Sequence, residues 1–599
     1  MEGSTDIYER FNLYDLPDRF CIEPRGQDGS LVSDSYLEID RNSNEINLRN
    51  IKNAPIPATY TELRHIHGIV GTIRLVAGYA LIVIKSAHLV GILNGHEIWE
   101  IDSTELLPYI KNALYLNEKQ VWYNRQFTEM IQLVLATKGF YFSRSFDLSH
   151  SLQWLSENTT PMFRQLPMMG RADTRFVWNQ YLSAPIASVT SLYRYALPII
   201  HGFVGVKQCF LEGHMFSLIL ISRRSVQRAG TRFYMRGVDH EGHSANFVET
   251  EQILQYDKDG NNEKRYLTSL VQTRGSIPLF WAQRPNLHWQ PDPTMKPTDD
   301  QVAAYVRHMK GQQQIYGGRH VIVNLVNRTG RERRVGGELE RVSLQANLDF
   351  VRHNPFDFHH ECGSLSWERL ETLKNQLRPE LTEFGFFASC IAYPNSSRQQ
   401  TGFFRTNCMD CLDRTNVVQA VIAKESVKDQ LTFLGIITGT TSIDNYTNFM
   451  YLFKNLWADN GDVCSLQYAG TGALKADYTR LGKRTVGGVL NDAMNSITRY
   501  FRNNFYDGYR QDAIDLFLGN FIVDPDNLPQ TFETTILSFD YHGAAIVGAI
   551  FAGSMIIMCV LIAENSTATI FWLIIFLALM MFIFLNGEEF VNTPKLKQD

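Results

Sequence analysis

The sequence predicts a three-part chain: a strand-rich N-terminal region, an α/β region built around a cysteine-bearing loop, and two membrane-crossing helices at the C-terminal end. Three observations lead there. The stretch from Gly68 to Glu100 reads as a meander of β-branched strands, with turn glycines at Gly78, Gly91 and Gly95. Farther on, the apolar piece from Gly402 to Phe404 runs into RTNCMDCLDRTN, residues Arg405 to Asn416. Near the end, the runs from Ala544 to Ala563 and from Ile570 to Leu585 carry no Lys, Arg, Asp or Glu.

Along the chain, residues 1–180 form the strand-rich region, with a more helical stretch from about Asn124 to Ala136. Residues 181–520 alternate strands, such as HVIVNLVN from His320 to Asn327, with helical patterns, which favours an α/β domain. After the cysteine loop, Val417, Val418, Val421 and Ile422 recur at helical spacing, so the loop joins a strand to a buried helix. Residues 521–543, with Pro525, Pro529 and several acids, read as a tether of several tens of ångströms. The first apolar run, 544–563, spans about 30 Å as a helix; the second, 570–585, is slightly short unless flanking residues join it. The tail, 586–599, holds two lysines and the connector none, which predicts a hairpin with both ends on the cytosolic side.

Composition narrows the function. A chain of 599 residues has room for two to four domains, and 44% hydrophobic with 20% charged residues is globular. A net charge of −5 argues against a polycation that seeks nucleic acid. The 8 cysteines are scattered rather than densely spaced, which points to reduced thiols in the cytosol. MEGSTDIYERF lacks the basic and apolar parts of a cleavable signal peptide.

The loop carries the chemistry. Cys408 and Arg414 stand in C-x5-R spacing, followed by Thr415, the pattern of cysteine-dependent phosphatases. Such a loop curls so that the amides of Met409, Cys411 and Leu412 face a phosphate with the sulfur below it. A free thiol titrates near about 8.5, but at a helix N-terminus beside an arginine it falls to about 3.5–7.5 and attacks as thiolate. Arg414 grips two phosphate oxygens with its planar fork. Thr415 donates to the sulfur and helps it leave. The expected reaction is a two-step covalent one without metal or cofactor. Asp410 and Asp413 are both candidates to protonate the leaving oxygen, and the sequence does not choose between them. Asp413 has a competing role as helix cap or brace for Arg414. The two acids together should disfavour head groups bearing several phosphates.

Two other readings compete. Cys408 and Cys411 form a C-x-x-C, a redox pair or half a zinc site, but the chain has no second C-x-x-C and neither role explains Arg414 and Thr415. His359, His360, Glu361 and Cys362 look metal-like, yet adjacent histidines point apart on most backbones, which favours solvated or core roles.

RTNCMDCLDRTN resembles throughout the catalytic signature of the Sac-domain (suppressor-of-actin) phosphoinositide phosphatases, in particular their integral-membrane branch. The likeness continues in GTIRLVAGY from Gly71, RAGTRFYMRGVDHEGHSANFVETEQ from Arg228, QTRGSIPLFW from Gln272, WADNGDVCSLQYAGTGALKADYTRLGKR from Trp457, and the terminal hairpin. The resemblance implies an α+β, mainly β, N-terminal Sac subdomain packed on an α/β cysteine-phosphatase domain. It also implies hydrolysis of phosphatidylinositol monophosphates, chiefly the 4-phosphate. An enzyme acting on phosphotyrosine proteins and a non-catalytic phosphoinositide-binding tether are the alternatives.

Basic residues should draw the anionic head group. Arg405 and Lys475 rank first because they sit in family-like blocks, with Asn407 beside the loop; Lys483, Arg484 and the cluster Arg331, Arg333 and Arg334 follow. The end Lys595-Leu-Lys597-Gln-Asp599 resembles the dilysine signal read by coatomer, which implies an endoplasmic reticulum membrane protein that cycles to the Golgi.

Overall fold

A computed structural model describes residues 6–111, 114–260, 264–296, 300–362, 370–390, 392, 397–410, 412–481, 485–529, 541–561 and 566–596. Its N-terminal part holds a five-stranded antiparallel sheet, ordered Ile46–Asn50, Ser35–Asp40, Arg19–Arg25, Arg10–Asp15, Glu62–Ile66. One face of it buries Phe11, Leu13, Phe20, Ile22, Leu37 and Ile39 against Ile186, Leu192 and Tyr195.

The expected meander is present as strands Gly68–Leu75, Gly78–Leu93 and His96–Pro108. Asn94 and Gly95, at φ 52° and 86°, supply the two left-handed positions that a tight hairpin needs. The helix expected from Asn124 starts earlier, at Glu118, because Asn117 and Gln120 cap each other reciprocally and nucleate it there.

These strands belong to a twelve-stranded sheet that carries across position 180 without a break. Strand Phe140–Phe142 pairs with Ile200–Leu211, and the antiparallel run continues through His214–Arg224 and Val248–Asp257 to Arg265–Arg274. From there the sheet turns parallel: Arg265–Arg274, Gly402–Asn407, Arg319–Asn324 and Val351–Pro355 lie side by side in one direction. A parallel sheet gathers its loops at the carboxyl ends of the strands, where ligands bind in α/β folds. The cysteine loop, Leu325–Glu332 and the Phe358–Glu361 turn all leave from that edge.

The nucleophile loop leads into helix Asp413–Phe433, whose Val418, Ile422, Val427 and Leu431 are buried. It packs against helix Thr447–Ala469. Asn416, the last residue of the signature, ties the two together, with Nδ2 donating to Trp457 O at 2.8 Å and Oδ1 accepting from Asn460 at 2.9 Å. Gly461 permits this approach, since a Cβ there would stand 2.8 Å from the Asn416 amide.

The C-terminal helices are Tyr541–Leu561 and Ser566–Leu585. Their apolar spans, Gly543–Leu561 and Ser566–Leu585, have mean hydropathy 2.5 and 2.8 and are long enough to cross a bilayer. The second is longer than expected because residues from Ser566 to Thr569 join it. Ala545, Ala549 and Ala552 are buried and Phe551 meets Trp572 edge-on, so small residues bring the pair together. The connector at 562–565 lies outside the described residues.

The tether reading needs correction for residues 521–529. Val523 is buried in the core, Gln120 Nε2 donates to Pro525 O at 3.3 Å, and the Tyr123 hydroxyl donates to Pro529 O. Helix Glu118–Leu135 holds this segment down, because its Gln120 and Tyr123 satisfy backbone carbonyls that a free linker would leave to water. The tail is docked as well: Lys595 N and Leu596 N donate to the Asp512 carboxylate at 2.9 Å, and Leu596 joins the core around Phe140.

Candidate active site

Cys408 follows directly on strand Gly402–Asn407, and Asp413 opens the next helix, so the loop occupies the strand-to-helix turn that the spacing requires. Thr415, in the first turn and fully buried, donates its hydroxyl to the Cys408 sulfur at 3.4 Å. That is the contact a thiolate partner would make.

Arg414 is engaged on the far side. Its fork donates to Glu332 through Nη2–Oε1 at 2.8 Å and Nη1–Oε2 at 3.0 Å, and Nη1 also reaches Leu325 O at 3.1 Å and Asn327 Oδ1 at 3.3 Å. Burial works against its charge, but Cys408, Glu332 and Asp410 together raise its pKa further, so the guanidinium is permanently cationic and feels the sulfur. A cavity of about 200 Å³ lies beside this pair. Asp413, Arg414, Lys475 and His359 supply its polar wall, and Phe358, Leu370, Val417 and Ala458 its apolar one. Cys408 is 2% exposed and does not line it. The expected cup, with sulfur and guanidinium facing one hollow, is therefore not what the structure presents: Glu332 holds the arginine, and Cys408 belongs to the buried cluster that includes Phe404 and Val418.

The two loop acids sit in different environments. Asp410 is clamped by Arg232 Nη2 at 2.5 Å and Arg236 Nη2 at 2.7 Å. Burial opposes its charge, but the two guanidinium groups overcome this and hold the carboxyl far below the ordinary range. The two guanidinium groups favour its ionised form, which argues against Asp410 as the proton donor. Its charge is outweighed by two arginines, so the loop is not a negative wall and gives no ground for rejecting polyphosphates by repulsion.

Asp413 differs. Burial pushes its carboxyl up, against the pull of the Arg499 guanidinium at 3.6 Å and the Leu474 N–H at 2.9 Å. It is a first-turn residue whose carboxylate accepts from Leu474, so the cap-or-brace alternative for Asp413 is replaced by a bond to a distant loop.

Several expected substrate contacts turn inward. Arg405 is 0% exposed, and its guanidinium donates to His308 Nε2 at 3.0 Å, Asn407 Oδ1 at 3.1 Å and Ser276 O at 2.8 Å. His308 can accept because burial, with Arg405 beside it, lowers its pKa to about 3 and its Nδ1 faces Gly242 O. Asn407 is occupied too, donating to Asn324 Oδ1 at 2.6 Å. Both are struts under the loop rather than lipid contacts, because strand Gly402–Asn407 lies in the interior of the sheet and is buried on both faces. Met409 packs with Ile322, Val326 and Trp281, and Leu412 with Tyr468 and Ala469, so only their backbones are available to a ligand. Cys411, Lys483, Arg484 and Lys597 lie outside the described residues.

Lys475 does reach the cavity. It has a left-handed backbone, φ 62°, uncommon outside glycine, and its N–H donates to both Asp492 oxygens at 2.9 and 3.0 Å. Arg331, Arg333 and Arg334 flank Glu332, the residue that holds Arg414, and all three are exposed; Arg331 pairs with Asp292. His359 and His360 are exposed, and His359 lines the cavity; among the described residues a metal-compatible grouping falls instead at Asp239, Glu241 and His243.

Sequence reading missed Arg232, Arg236, Glu332 and Arg499. The signal for the first two was present, as Arg228, Arg232 and Arg236 recur every fourth residue inside a family-like block. Nothing local marked Glu332 or Arg499.

The sequence matches the SacI homology domain over residues 67–363. It is 44% identical to Phosphatidylinositol-3-phosphatase SAC1-A of Danio rerio, over 99% of this chain and 99% of that protein. It is 38% identical to Phosphatidylinositol-3-phosphatase SAC1 of Drosophila melanogaster, over 98% of this chain and 97% of that one. Against the Saccharomyces cerevisiae protein of the same name the identity is 33%, over 95% and 91%.

Proposed function

The chain belongs to the SacI homology family, and from that membership we propose that it is a membrane-anchored phosphoinositide phosphatase working through a cysteinyl-phosphate on Cys408. The observation that carries the mechanism is the Thr415 hydroxyl bonded to the Cys408 sulfur at 3.4 Å, on a loop that opens directly into helix Asp413–Phe433.

In the first step the fork of Arg414 exchanges the Glu332 carboxylate for two phosphate oxygens, one anion for another. The loop turns the buried Cys408 sulfur toward the cavity, its thiolate attacks phosphorus, an S–P bond forms, and the P–O bond to the inositol ring breaks. The leaving oxygen takes the proton of Asp413, the acid that burial keeps protonated to higher pH. In the second step Asp413, now a carboxylate, accepts a proton from water, whose oxygen attacks phosphorus. The S–P bond breaks, and Thr415 donates to the departing thiolate. Arg414 and the loop amides stabilise the equatorial oxygens in both steps.

The substrates proposed are phosphatidylinositol monophosphates, chiefly the 4-phosphate that the family resemblance implies, with the 3-phosphate that the relatives' names carry as a second. A cavity of about 200 Å³ suits one inositol ring; it is below the usual ~300–1,000 Å³ of drug-sized ligand sites. The proposed address is the endoplasmic reticulum membrane, cycling to the Golgi through coatomer, with the catalytic part in the cytosol. Coatomer access requires Lys595 and Leu596 to leave Asp512.

The test is phosphate release by the full chain in vesicles from each monophosphate isomer and from phosphotyrosine peptides, with Cys408→Ser as control. Release from lipids, fastest from the 4-isomer, is expected. Release from peptides alone would move the chain to protein substrates, and none from either would leave a lipid-binding tether.

A further inference from the structure

Helix Val486–Phe505 is built inside out. Its apolar residues Val486, Val489, Leu490, Met494, Ile497, Phe501 and Phe505 are all exposed, Val486 at 90% and Leu490 at 67%. Its polar residues face the protein instead: Arg499, Asn503 and Asn504 are buried. Arg499 donates to Thr471 Oγ1 at 2.7 Å and Ser465 Oγ at 2.8 Å, while Asp492 holds the Lys475 N–H. A helix against water shows the opposite arrangement. A stripe about 30 Å long with this polarity fits an apolar medium.

The neighbours identify that medium. The chain leaves the second apolar span at Leu585 and within a few residues is bonded to this helix, Asn592 N donating to Asn504 O at 2.7 Å. His288 meets Phe584 near the end of that span, ring centroids 4.5 Å apart. Next to it Trp289, 58% exposed, stacks on Tyr500 of the helix at 5.4 Å. Indole and phenol rings at the end of a span are the usual furnishing of the membrane–water interface. The exposed stripe is thus continuous with the end of the hairpin.

We propose that helix Val486–Phe505 lies in the headgroup layer of the membrane that the hairpin spans, its apolar face among the acyl chains. The helix sets the active site at lipid height. Its inward face contacts two groups of the cavity wall: Arg499 lies 3.6 Å from Asp413, and Asp492 fixes the backbone of Lys475. The enzyme therefore takes lipid from its own leaflet, a consequence that rests on the phosphatase reading above.

The test uses the full chain in phosphatidylcholine vesicles containing phosphatidylinositol 4-phosphate. An environment-sensitive fluorophore is placed on Met494→Cys, and for comparison on Met162→Cys, 77% exposed in helix Pro161–Gln165. The described native cysteines are buried. Brominated lipids should quench position 494 several-fold more than position 162, and an aqueous quencher should do the reverse. A label at 494 open to the aqueous quencher overturns the proposal. One shielded from both quenchers also overturns it, in favour of a protein partner such as a second copy. Co-flotation with the vesicles is read in the same samples; a chain that does not float overturns the membrane reading itself. A Leu490→Asn/Phe501→Asn variant should lose at least tenfold in kcat/KM on the vesicle substrate while staying within twofold on a water-soluble dioctanoyl analogue. Equal losses on both mean a folding defect and overturn the lipid-height claim. The fluorescence arm reads out even if the chain hydrolyses neither substrate.

Discussion

Arg414 and Glu332 face each other as two planar forks, joined by bonds of 2.8 and 3.0 Å. The arginine proposed to grip phosphate thus rests on a carboxylate, which substrate would have to displace. Glu332→Gln removes the competing charge while keeping the shape. Its expected outcome is tighter binding of vanadate, a phosphate analogue, by about tenfold, or ~1.4 kcal/mol. kcat should fall, because the guanidinium is less well aimed. Unchanged vanadate affinity, measured by calorimetry, would show that the two forks do not compete.

As the proposed proton donor, Asp413 should set the alkaline limb of the reaction. Its folded-state pKa is raised by burial, so it keeps its proton at pH values where an ordinary carboxyl has lost it. Activity should decline as pH rises through that raised value. Asp413→Asn should lower kcat by about 10²–10⁴-fold on lipid substrate and abolish that limb. On an aryl phosphate, whose leaving group needs no proton, the loss should be small.

Asp410 has the opposite linkage. Arg232 and Arg236 depress its pKa, so it adds stability above the ordinary carboxyl range, near pH 4, and that stability is lost as pH falls below it. Asp410→Ala removes the carboxylate that two guanidinium groups share, although Arg236 keeps its bonds to Met409 O and Gln283, and should cost about 3–5 kcal/mol at neutral pH, measured by urea unfolding. The difference between variant and parent should shrink in acid.

Much of this was legible in the sequence where the determinants are local. The spacing of Cys408, Arg414 and Thr415 fixes a strand-to-helix loop, and the uncharged C-terminal runs fix two spans. Side-chain direction was not legible. Arg405 adjoins the loop in sequence, yet its strand is buried on both faces and the side chain reaches His308 and Ser276. Glu332 follows strand Arg319–Asn324, while Arg232 and Arg236 share the segment between strands His214–Arg224 and Val248–Asp257; only the folded sheet edge brings them to Arg414 and Asp410. The segment 521–529 has the composition of a linker, but Tyr123 and Gln120 hold it on the domain.

The tail gives a further expectation. Asp512, its pKa pushed up to about 7 by burial, binds the N–H groups of Lys595 and Leu596. Asp512→Ala should free that segment, speeding amide hydrogen exchange at both residues and increasing coatomer capture by the full chain. Slow exchange in the variant would mean that Leu596 packing alone holds the tail.

The most direct measurement is acid-quenched turnover of labelled phosphatidylinositol 4-phosphate, followed by peptide mass spectrometry. Phosphate should be found on the Cys408 sulfur in the parent, more of it in Thr415→Ala, whose thiolate leaves more slowly, and none in Cys408→Ser. Turnover with no adduct, or with phosphate on another residue, would contradict the mechanism.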